Sequence, residues 1–343
     1  MRETTVRRKQ PTQFDVARLA GVSQPVVSYV LNGESGAAVA PETRRRVLAT
    51  IAELGYLPNR TARGLRTRTT LTIAAIIPDI TNPFYPAFIR GVQDVVDRNG
   101  YDLISYNTDA LLEKERQCLL SVRQGRVDGV IITPFQVPVD ELAPLVHDGL
   151  AVVGMTPYKP TTPIALDTIL SLDLEGARIG VCHLAERGHT RIATIMGQIG
   201  TPPRERRYLG YLEGLARYGI PPDPDLAHDG DFTEQSGYQA MRDLLALSER
   251  PTAVFAANDL MATGAMLAIR HAGLRIPEDV AIVGFDDIPA ARLLQPALTT
   301  LSNHPERHGV RSAEMIFERL RGEVSPEPRF EELMPSLIVR EST

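Results

Sequence analysis

Polar and aromatic side chains follow the apolar runs of this chain, at the points where buried strands are expected to end. Carboxylates, amides, aromatic rings and an arginine in such positions can bind a small polar molecule. No nucleophile with an adjacent base is identifiable among them, so the chemistry they indicate is binding rather than catalysis. The residues are Asp79, Asn82, Phe84, Tyr85, Asn107, Asp109, Arg204 to Arg207, Asn258, Asp259, Asp286 and Asp287.

From Leu71 onwards, the sequence predicts apolar strands that alternate with helices, and these elements position the residues above. Such alternation predicts parallel sheets covered on both faces, in which ligands bind outside the carboxyl ends of the strands. About a dozen elements exceed one comfortable sheet, which favours two α/β lobes. The predicted strands span 72–77, 103–106, 129–133, 151–154, 192–196, 253–256 and 280–284, and the predicted helices include 84–98, 113–124, 207–218, 235–247 and 261–271.

The front of the chain has a different pattern, two short amphipathic helices joined at Gly21. Thr12 and Ser23 are suitable N-caps, and Asp15 stands where a carboxylate meets the positive end of the first helix. A third helix is predicted over 41–54, ended by Gly55. The side chains expected to face inward are Val16, Leu19, Ala20, Val27, Val30, Leu31, Val47, Ile51 and Leu54, and those expected to face outward are Gln24, Pro25, Ser28 and Tyr29. A second helix with polar groups exposed near its start is typical of a major-groove reader, although a plain helical hairpin has the same pattern.

Charge is distributed unevenly along the chain. The first 68 residues carry 12 arginines and lysines against five acids, a formal charge of +7, and the whole chain carries −5, so the remainder carries −12. This asymmetry indicates that the basic end meets a polyanion and that the binding weakens steeply with salt. The basic stretch 59–68 is too short to hold a stable helix alone and is expected to order only against a partner. For residues 2–9, a solvated basic tail remains an equal alternative.

Several function classes are not favoured by the sequence. It has no phosphate-binding glycine loop, no dinucleotide fingerprint and no His-Glu-x-x-His helix, so we expect no enzyme activity, catalytic residue, cofactor or metal. Cys118 and Cys182 lack the spacing of a metal or redox pair, and His183 with His189 fits a helix end. No apolar run reaches the ~20 residues of a membrane span and no signal peptide is recognisable, so we expect a cytoplasmic protein without a membrane partner. A carbohydrate-binding receptor is the remaining non-enzymatic alternative, which the basic front disfavours.

Ordered motifs carry a resemblance to the lactose-repressor (LacI/GalR) family of bacterial transcriptional regulators. They are the front segment, PDITNPFYPAFIRGVQD at 78–94, RRYLGY at 206–211, VFAANDLMATGAM at 254–266 and VGFDD at 283–287, and the likeness runs from about Thr12 to Ser342. The resemblance implies a small all-α helix-turn-helix head joined to an α/β body like the periplasmic binding proteins, with two doubly wound parallel-sheet lobes. It implies a head over 1–58, a hinge over 59–70, an N-terminal lobe over 71–168 and 303–333, and a C-terminal lobe over 169–302 and 334–343.

The resemblance also implies function. The chain would be a transcriptional regulator, most simply a repressor, that binds a near-palindromic double-stranded DNA operator as a homodimer. The tail lacks the leucine heptads of tetrameric relatives, which favours a dimer. A small-molecule effector, a sugar or sugar derivative, would bind between the lobes. The residues alone leave open a pentose, a sugar acid, a nucleoside or no effector at all, and whether an effector releases or promotes DNA binding.

Site residues follow position by position from the resemblance. The implied DNA-binding residues are Thr12, Ser23, Gln24, Pro25, Ser28, Tyr29, Asn32, Asn59, Arg60, Arg63 and Leu65. The implied effector-binding residues are Asp79, Phe84, Tyr85, Asp109, Met155, Arg207, Phe232, Asn258, Asp286 and Asn303. Tyr29 departs from the arginine usual in the family, and Ala40 from the usual capping serine. Met155, Pro203 and Asp109 also depart from sugar-binding members, so lactose-like galactosides are not inferred.

Overall fold

The computed structural model describes residues 11–32, 39–57, 69–158, 161 and 164–343. The chain divides into two compact units, Met1–Thr69 and Thr70–Thr343, here called the head and the body. In the described residues, no helix is both long and apolar enough to cross a membrane. Secondary-structure elements are numbered in chain order.

The head consists of α1 (Gln13–Ala20), α2 (Gln24–Asn32) and α3 (Pro41–Leu54). The predicted capping box is present, since the Thr12 hydroxyl accepts from the Asp15 amide and the Asp15 carboxylate accepts from the Thr12 amide. Gly21 and Gly55 end α1 and α3 with φ of 63° and 60°, which glycine adopts without strain. Ala40 gives α3 no side-chain cap, as expected.

The head core follows from the amphipathic pattern with one correction. Its buried residues are Val16, Ala17, Ala20, Val27, Val30, Val47 and Tyr56. The expectation that Leu19 faces inward is wrong, because its side chain is 54% exposed. Val16, Ala17 and Ala20 form the buried stripe of α1, and Leu19 lies at the edge of that stripe. The small Ala17 is therefore buried in the position that we expected Leu19 to occupy.

The first lobe of the body is built on a six-stranded parallel sheet. Its strands are β1 (Thr72–Ile77), β2 (Asp102–Asn107), β3 (Gly129–Ile132), β4 (Ala151–Gly154), β5 (Asp167–Ser171) and β11 (Phe330–Leu333), in the order β11-β5-β4-β3-β1-β2. Its helices are α4 (Phe84–Arg98), α5 (Leu112–Val122), α6 (Ala143–His147) and α11 (Pro305–Leu320). In register, Thr72 lies opposite Asp102 and Ile73 opposite Gly129.

The second lobe repeats this arrangement. Its strands are β6 (Ile192–Met196), β7 (Ala227–Asp229), β8 (Ala253–Ala256), β9 (Ala281–Asp286), β10 (Thr299–Ser302) and β12 (Ser336–Ile338), in the order β12-β10-β9-β8-β6-β7. Only the β10–β12 pair is antiparallel among these described strands. Its helices are α7 (Asp173–Glu186), α8 (Pro202–Arg217), α9 (Glu234–Leu245) and α10 (Asp259–His271).

The described chain passes between the lobes at three places, between β5 and α7, between β10 and α11, and between β11 and β12. The expected division at 168/169 falls inside β5, which pairs with β4 and β11 of the first sheet, so that division lies a few residues too early. In the first lobe α4 and α11 cross closely. A Cβ on Gly91 would lie 2.1 Å from the Glu306 carbonyl oxygen, and one on Gly309 would lie 2.0 Å from that of Phe88, so this crossing requires glycine.

Candidate functional site

A cavity of about 780 Å³ lies between the two sheets of the body, at the carboxyl ends of their strands. From the first lobe its walls include residues that directly follow β1, β3 and β4, and from the second lobe residues at or after β6, β7 and β9. This is the position predicted from the strand pattern, because side chains at the carboxyl ends of parallel strands meet at one edge of the sheet. The volume is in the range of natural small-molecule sites.

The cavity brings together nine of the ten predicted effector residues. Those that line it are Asp79, Phe84, Tyr85, Asp109, Met155, Arg207, Phe232, Asp286 and Asn303. Asn258 does not line it. Its side chain caps α10 by accepting from the Met261 amide at 2.9 Å, and its amide nitrogen donates to the Phe232 carbonyl oxygen at 2.9 Å. Asn258 therefore positions Phe232 rather than facing the cavity.

The polar centre of the cavity is a buried cluster that we call the cavity triad, Asp173, Arg207 and Asp286. The Arg207 Nε and Nη2 lie 3.0 and 2.9 Å from Asp173 Oδ1, and Nη2 lies 3.6 Å from Asp286 Oδ1. The guanidinium carbon lies 3.8 Å from the centre of the Phe285 ring, in a cation–π contact. The triad is thus one cation held between two carboxylates and above an aromatic face.

Burial sets the protonation behaviour of two groups in the cavity. It raises the pKa of Asp286 to about 7, although Arg207 opposes this shift. Burial, followed by the charge of Asp286, raises the pKa of Tyr85 well above its ordinary value, so its phenol stays protonated and can donate a hydrogen bond.

Aromatic rings form two further walls. Phe84 and Tyr85, at the start of α4, pack edge to face with their centroids 5.1 Å apart. Phe135 of the first lobe and Phe232 of the second have centroids 6.4 Å apart and tilted by 44°. The two rings contact each other across the cavity, so it has apolar surface beside its carboxylates.

Four cavity residues have left-handed backbone conformations. Asp109, Ala110, Phe232 and Asp286 have φ of 52°, 53°, 70° and 110°. Such angles are unfavourable for residues with a Cβ, least so for aspartate and most for a bulky residue such as phenylalanine. Strained backbone of this kind clusters at binding sites, where the surrounding structure holds it in place. The conformations therefore support the assignment of the cavity as the site.

Sequence reasoning missed other residues of the cavity, among them Asp173, Phe135 and Asp231. Asp173 was missed because β5 was not predicted, so the residues that follow it were not searched. The signal was present, as Asp173 comes two residues after the strand, like the other polar residues. Phe135 follows a predicted strand and was overlooked. Within the described part of the chain, no group of three or more His, Cys, Asp or Glu side chains is placed to hold a metal ion.

The head presents the predicted outward surface of α2. Gln24, Pro25 and Tyr29 are exposed, and Ser28 is half-buried. Ser23, just before α2, is exposed, whereas the Thr12 hydroxyl donates to Asp15 Oδ2 at 2.7 Å within the α1 cap. The Asn32 side chain and the predicted hinge residues Asn59, Arg60, Arg63 and Leu65 lie outside the described residues.

Comparison with known proteins gives two matching family models. Residues 13–59 match the bacterial regulatory proteins of the lacI family, and residues 181–343 match a periplasmic binding protein-like domain. The HTH-type transcriptional repressor PurR of Pasteurella multocida (strain Pm70) is 36% identical over 331 residues, which cover 96% of this chain and 97% of that relative. The chain belongs to the lacI family of bacterial regulatory proteins. It is a DNA-binding transcriptional repressor of that family.

Other relatives and solved structures agree with the family over nearly the whole chain. PurR of Erwinia tasmaniensis (strain DSM 17950) is 36% identical over 330 residues, 96% of this chain and 95% of the relative. The lac repressor dimer bound to operator and the anti-inducer ONPF has a TM-score of 0.86 and 28% identity, covering 97% of this chain and 99% of that one. A transcriptional regulator CelR–cellobiose complex has a TM-score of 0.73 and 33% identity, covering 97% and 100%. The predicted family and fold class are confirmed.

Proposed function

We propose that this repressor binds a near-palindromic operator as a homodimer, and that a small polar metabolite, a sugar or sugar derivative, controls its operator affinity from the cavity. The observation that carries the proposal is the cavity itself, in which carboxylates, a buried arginine, an amide and aromatic rings of both lobes face one space. The solved structures of relatives include one with cellobiose and one with bound ribose. No enzyme activity is part of the proposal.

The DNA-binding part of the proposal rests on the head. Gln24 and Pro25 at the start of α2, and Tyr29 one turn on, are exposed. Their exposure supports the proposal that this helix reads base edges in the major groove. Arg44 and Arg45 are exposed on α3 and add positive charge for the phosphates. A related lac repressor has been solved as a dimer on its operator. Within the head, we propose residues 1–58 as the helix-turn-helix DNA-binding domain, followed by a hinge over 59–70. The DNA-binding domains of the two subunits would bind the two halves of the operator.

The regulatory part rests on the two lobes and the three chain crossings between them. A ligand that contacts both lobes changes their equilibrium only by its different affinity for their arrangements. By linkage, DNA and effector must change each other's affinity by the same factor, typically through about 1–3 kcal/mol of coupling.

The experiment combines DNA binding with a ligand titration. The full chain is added to a labelled fragment of DNA from upstream of its own gene, candidate metabolites are titrated in, and fluorescence anisotropy and the thermal midpoint are read together. We expect salt-sensitive binding and one metabolite that alters both readings. If no fragment is bound above background at low ionic strength, the DNA-binding part is wrong, and if no metabolite changes either reading, the effector part is wrong.

A pair of glutamine variants tests the role of α2. Gln24→Ala should weaken binding to the operator about tenfold, because a lost base contact is worth about 1–3 kcal/mol, and should weaken binding to unrelated DNA little. Gln117→Ala, an equally exposed glutamine on α5 of the body, is the matched control and should bind as the parent does. Equal losses on operator and unrelated DNA would assign Gln24 to the phosphates instead.

A further inference from the structure

The cavity has a strong excess of acidic side chains. Among the residues that the structure describes, its lining carries six carboxylates and one cationic side chain. The acids are Asp79, Asp109, Asp173, Asp231, Glu234 and Asp286, and the cation is Arg207. Lys114, which does not line the cavity, pairs with Asp109. With Lys114 counted as well, the acids still outnumber the cations by four.

Arg207 has little capacity left for an anionic ligand. Its Nε and Nη2 donate to Asp173, its Nη1 donates to the Ala257 carbonyl oxygen, and its face covers Phe285. Its side chain is only 7% exposed. A phosphate or carboxylate would have to compete with Asp173 for a guanidinium already held in place, and the described lining residues include no second cation.

The carboxylates, in contrast, keep capacity to accept from a ligand. Asp286 is 4% exposed and lines the cavity, and its closest ion-pair partner, Arg207 Nη2, is 3.6 Å away, beyond normal hydrogen-bond length. A buried acceptor in this position is stabilised when a ligand hydroxyl or ammonium donates to it.

Local contacts do not cancel the charge of the other acids. Asp79 accepts from the amide and hydroxyl of Thr81, and Asp231 accepts in the same way from Thr233. These donors are neutral, so they satisfy carboxylate oxygens without adding positive charge. Hydrogen bonding to Thr233 and Ser236 outweighs burial and lowers the pKa of Asp231 below its ordinary value.

We infer that the cavity selects an uncharged or cationic ligand rich in hydrogen-bond donors, such as a polyol or an amino sugar, and rejects ligands that carry a phosphate or carboxylate, with Asp286 as the main determinant of this choice. The inference rests on the proposed function, whose effector it narrows by charge. The donors of the ligand would meet Asp286, while Phe232 and Phe135 would pack against its carbon skeleton. A sugar acid or a sugar phosphate is thereby excluded.

The test uses related sugars that differ in the charge of one substituent. D-Glucose, D-glucosamine and D-glucose 6-phosphate, and D-ribose with D-ribose 5-phosphate, are each added at millimolar concentration to the full chain at low ionic strength and pH 7.5, above the pKa of about 7 of Asp286. The dissociation constant of each is measured by thermal shift and calorimetry. An uncharged or amine-bearing probe should bind at least about tenfold more tightly than its phosphate, because a like charge at close range in a partly buried site is repelled by more than thermal energy.

Two cavity variants test which carboxylate determines the charge preference. Asp286→Asn keeps the shape and suits the backbone at φ 110°, since asparagine tolerates positive φ better than most residues. It should reduce the preference for the amine over the phosphate about tenfold. Glu234→Gln, at the exposed rim, is the second variant and should reduce it less, and it keeps the test valid if Asp286→Asn does not fold. Asp225→Asn, an exposed aspartate away from the cavity, is the control and should leave the preference unchanged.

Three results would overturn the inference: tighter binding of a phosphate probe than of its uncharged partner, no binding of any uncharged or amine probe, or an unchanged preference in both cavity variants. DNA binding is measured on the same preparation. Salt-sensitive operator binding together with tight phosphate binding would refute the charge selection and leave the proposed function intact. Loss of operator binding would count against the proposed function instead.

Discussion

The body contains two arginine clusters that differ in the proportion of acids to arginines. In the first lobe, two arginines of α11 and one just before β11 join four acids, in what we call the arginine network. Its members are Arg311, Arg319, Arg329, Asp167, Glu314, Glu318 and Glu331. In the second lobe, the cavity triad holds two carboxylates around Arg207 alone. Each cluster has one acid more than it has arginines, but this excess is shared by three arginines in the first cluster and falls on a single arginine in the second.

The two clusters also differ in how their hydrogen bonds are used. Arg311 donates to Glu331 at 2.8 Å and to Glu318 at 2.7 Å, so α11 is tied to β11 by side-chain pairs. Asp167, on the edge of β5, accepts from both Arg319 and Arg329. In the triad, Asp286 stays 3.6 Å from its cation and faces a cavity. In the arginine network, Arg329 Nε is buried without a hydrogen-bond partner, but every described charged group of the network has an ion-pair partner. A network paired in this way is structural, whereas an unmatched buried carboxylate at a cavity indicates a ligand.

The largest expected effect in this comparison comes from removing the cation of the triad. Arg207→Met preserves much of the side-chain length but leaves Asp173 and Asp286 buried without a positive charge. We expect a loss of about 3–5 kcal/mol in the free energy of unfolding at pH 8, as for other buried pairs that lose one partner. Urea unfolding measures it.

The double variant Arg207→Met/Asp286→Asn is the control, because it removes one of the two stranded charges. It should recover a substantial part of the loss. If Arg207→Met lowers the free energy of unfolding by less than the experimental scatter, Arg207 does not offset a buried charge. The contrast between the cavity triad and the arginine network then fails.

The second effect is a pH dependence that belongs to Asp286. Because burial raises its pKa to about 7 from 3.8, the folded chain holds this proton more tightly than the unfolded chain. The contribution of this proton to the free energy of unfolding is fully present below pH 3.8 and is lost as the pH rises through 7. Asp286→Asn removes the dependence, so between pH 4 and pH 8 the variant should gain about 4 kcal/mol of stability over the parent, with the gain levelling off above pH 7.

Unfolding at a series of pH values from 4 to 8 measures this difference. Asp225→Asn, which is exposed, should follow the parent throughout. A gain that shrinks with rising pH would mean that Asp286 is stabilised in its ionised form and that the triad is balanced after all.

Much of the fold could be predicted because the apolar strand runs are strong local signals. The strands 72–77, 151–154, 192–196 and 253–256 and the helix 84–98 occur where the sequence places them. The missed strands β5, β7, β10, β11 and β12 are short and carry polar residues, so their existence depends on pairing with neighbours that the sequence does not reveal. Helix α11, which follows a chain crossing, was not among the helices named from the sequence, whereas the helix end expected near His183 is the end of α7.

The cavity residues show the same limit. Residues after the strongly predicted strands, such as Asp79 and Asp286, line the cavity. Asn258 also follows a correctly predicted strand, yet its side chain caps α10, and residue type and position alone do not separate a cap from a ligand contact. Asp173 was missed because the strand before it, β5, was not predicted. The charge excess of the cavity could not be read from the sequence, since Arg207 and its two carboxylates are 34 and 79 positions apart along the chain.

The smallest effect tests the arginine network. Arg311→Gln removes pairs with Glu318 and Glu331 whose side chains are about a quarter to a third exposed. Because water screens such pairs, we expect a loss of only about 1 kcal/mol at low salt, and a smaller loss as salt is added. Arg321→Gln, which breaks the exposed pair with Glu323, is the matched control and should leave stability unchanged within experimental scatter. If Arg311→Gln lost as much stability as Arg207→Met, and the loss did not depend on salt, the comparison would fail. Breaking a paired, partly solvated network would then cost as much free energy of unfolding as removing the only arginine of a buried cluster.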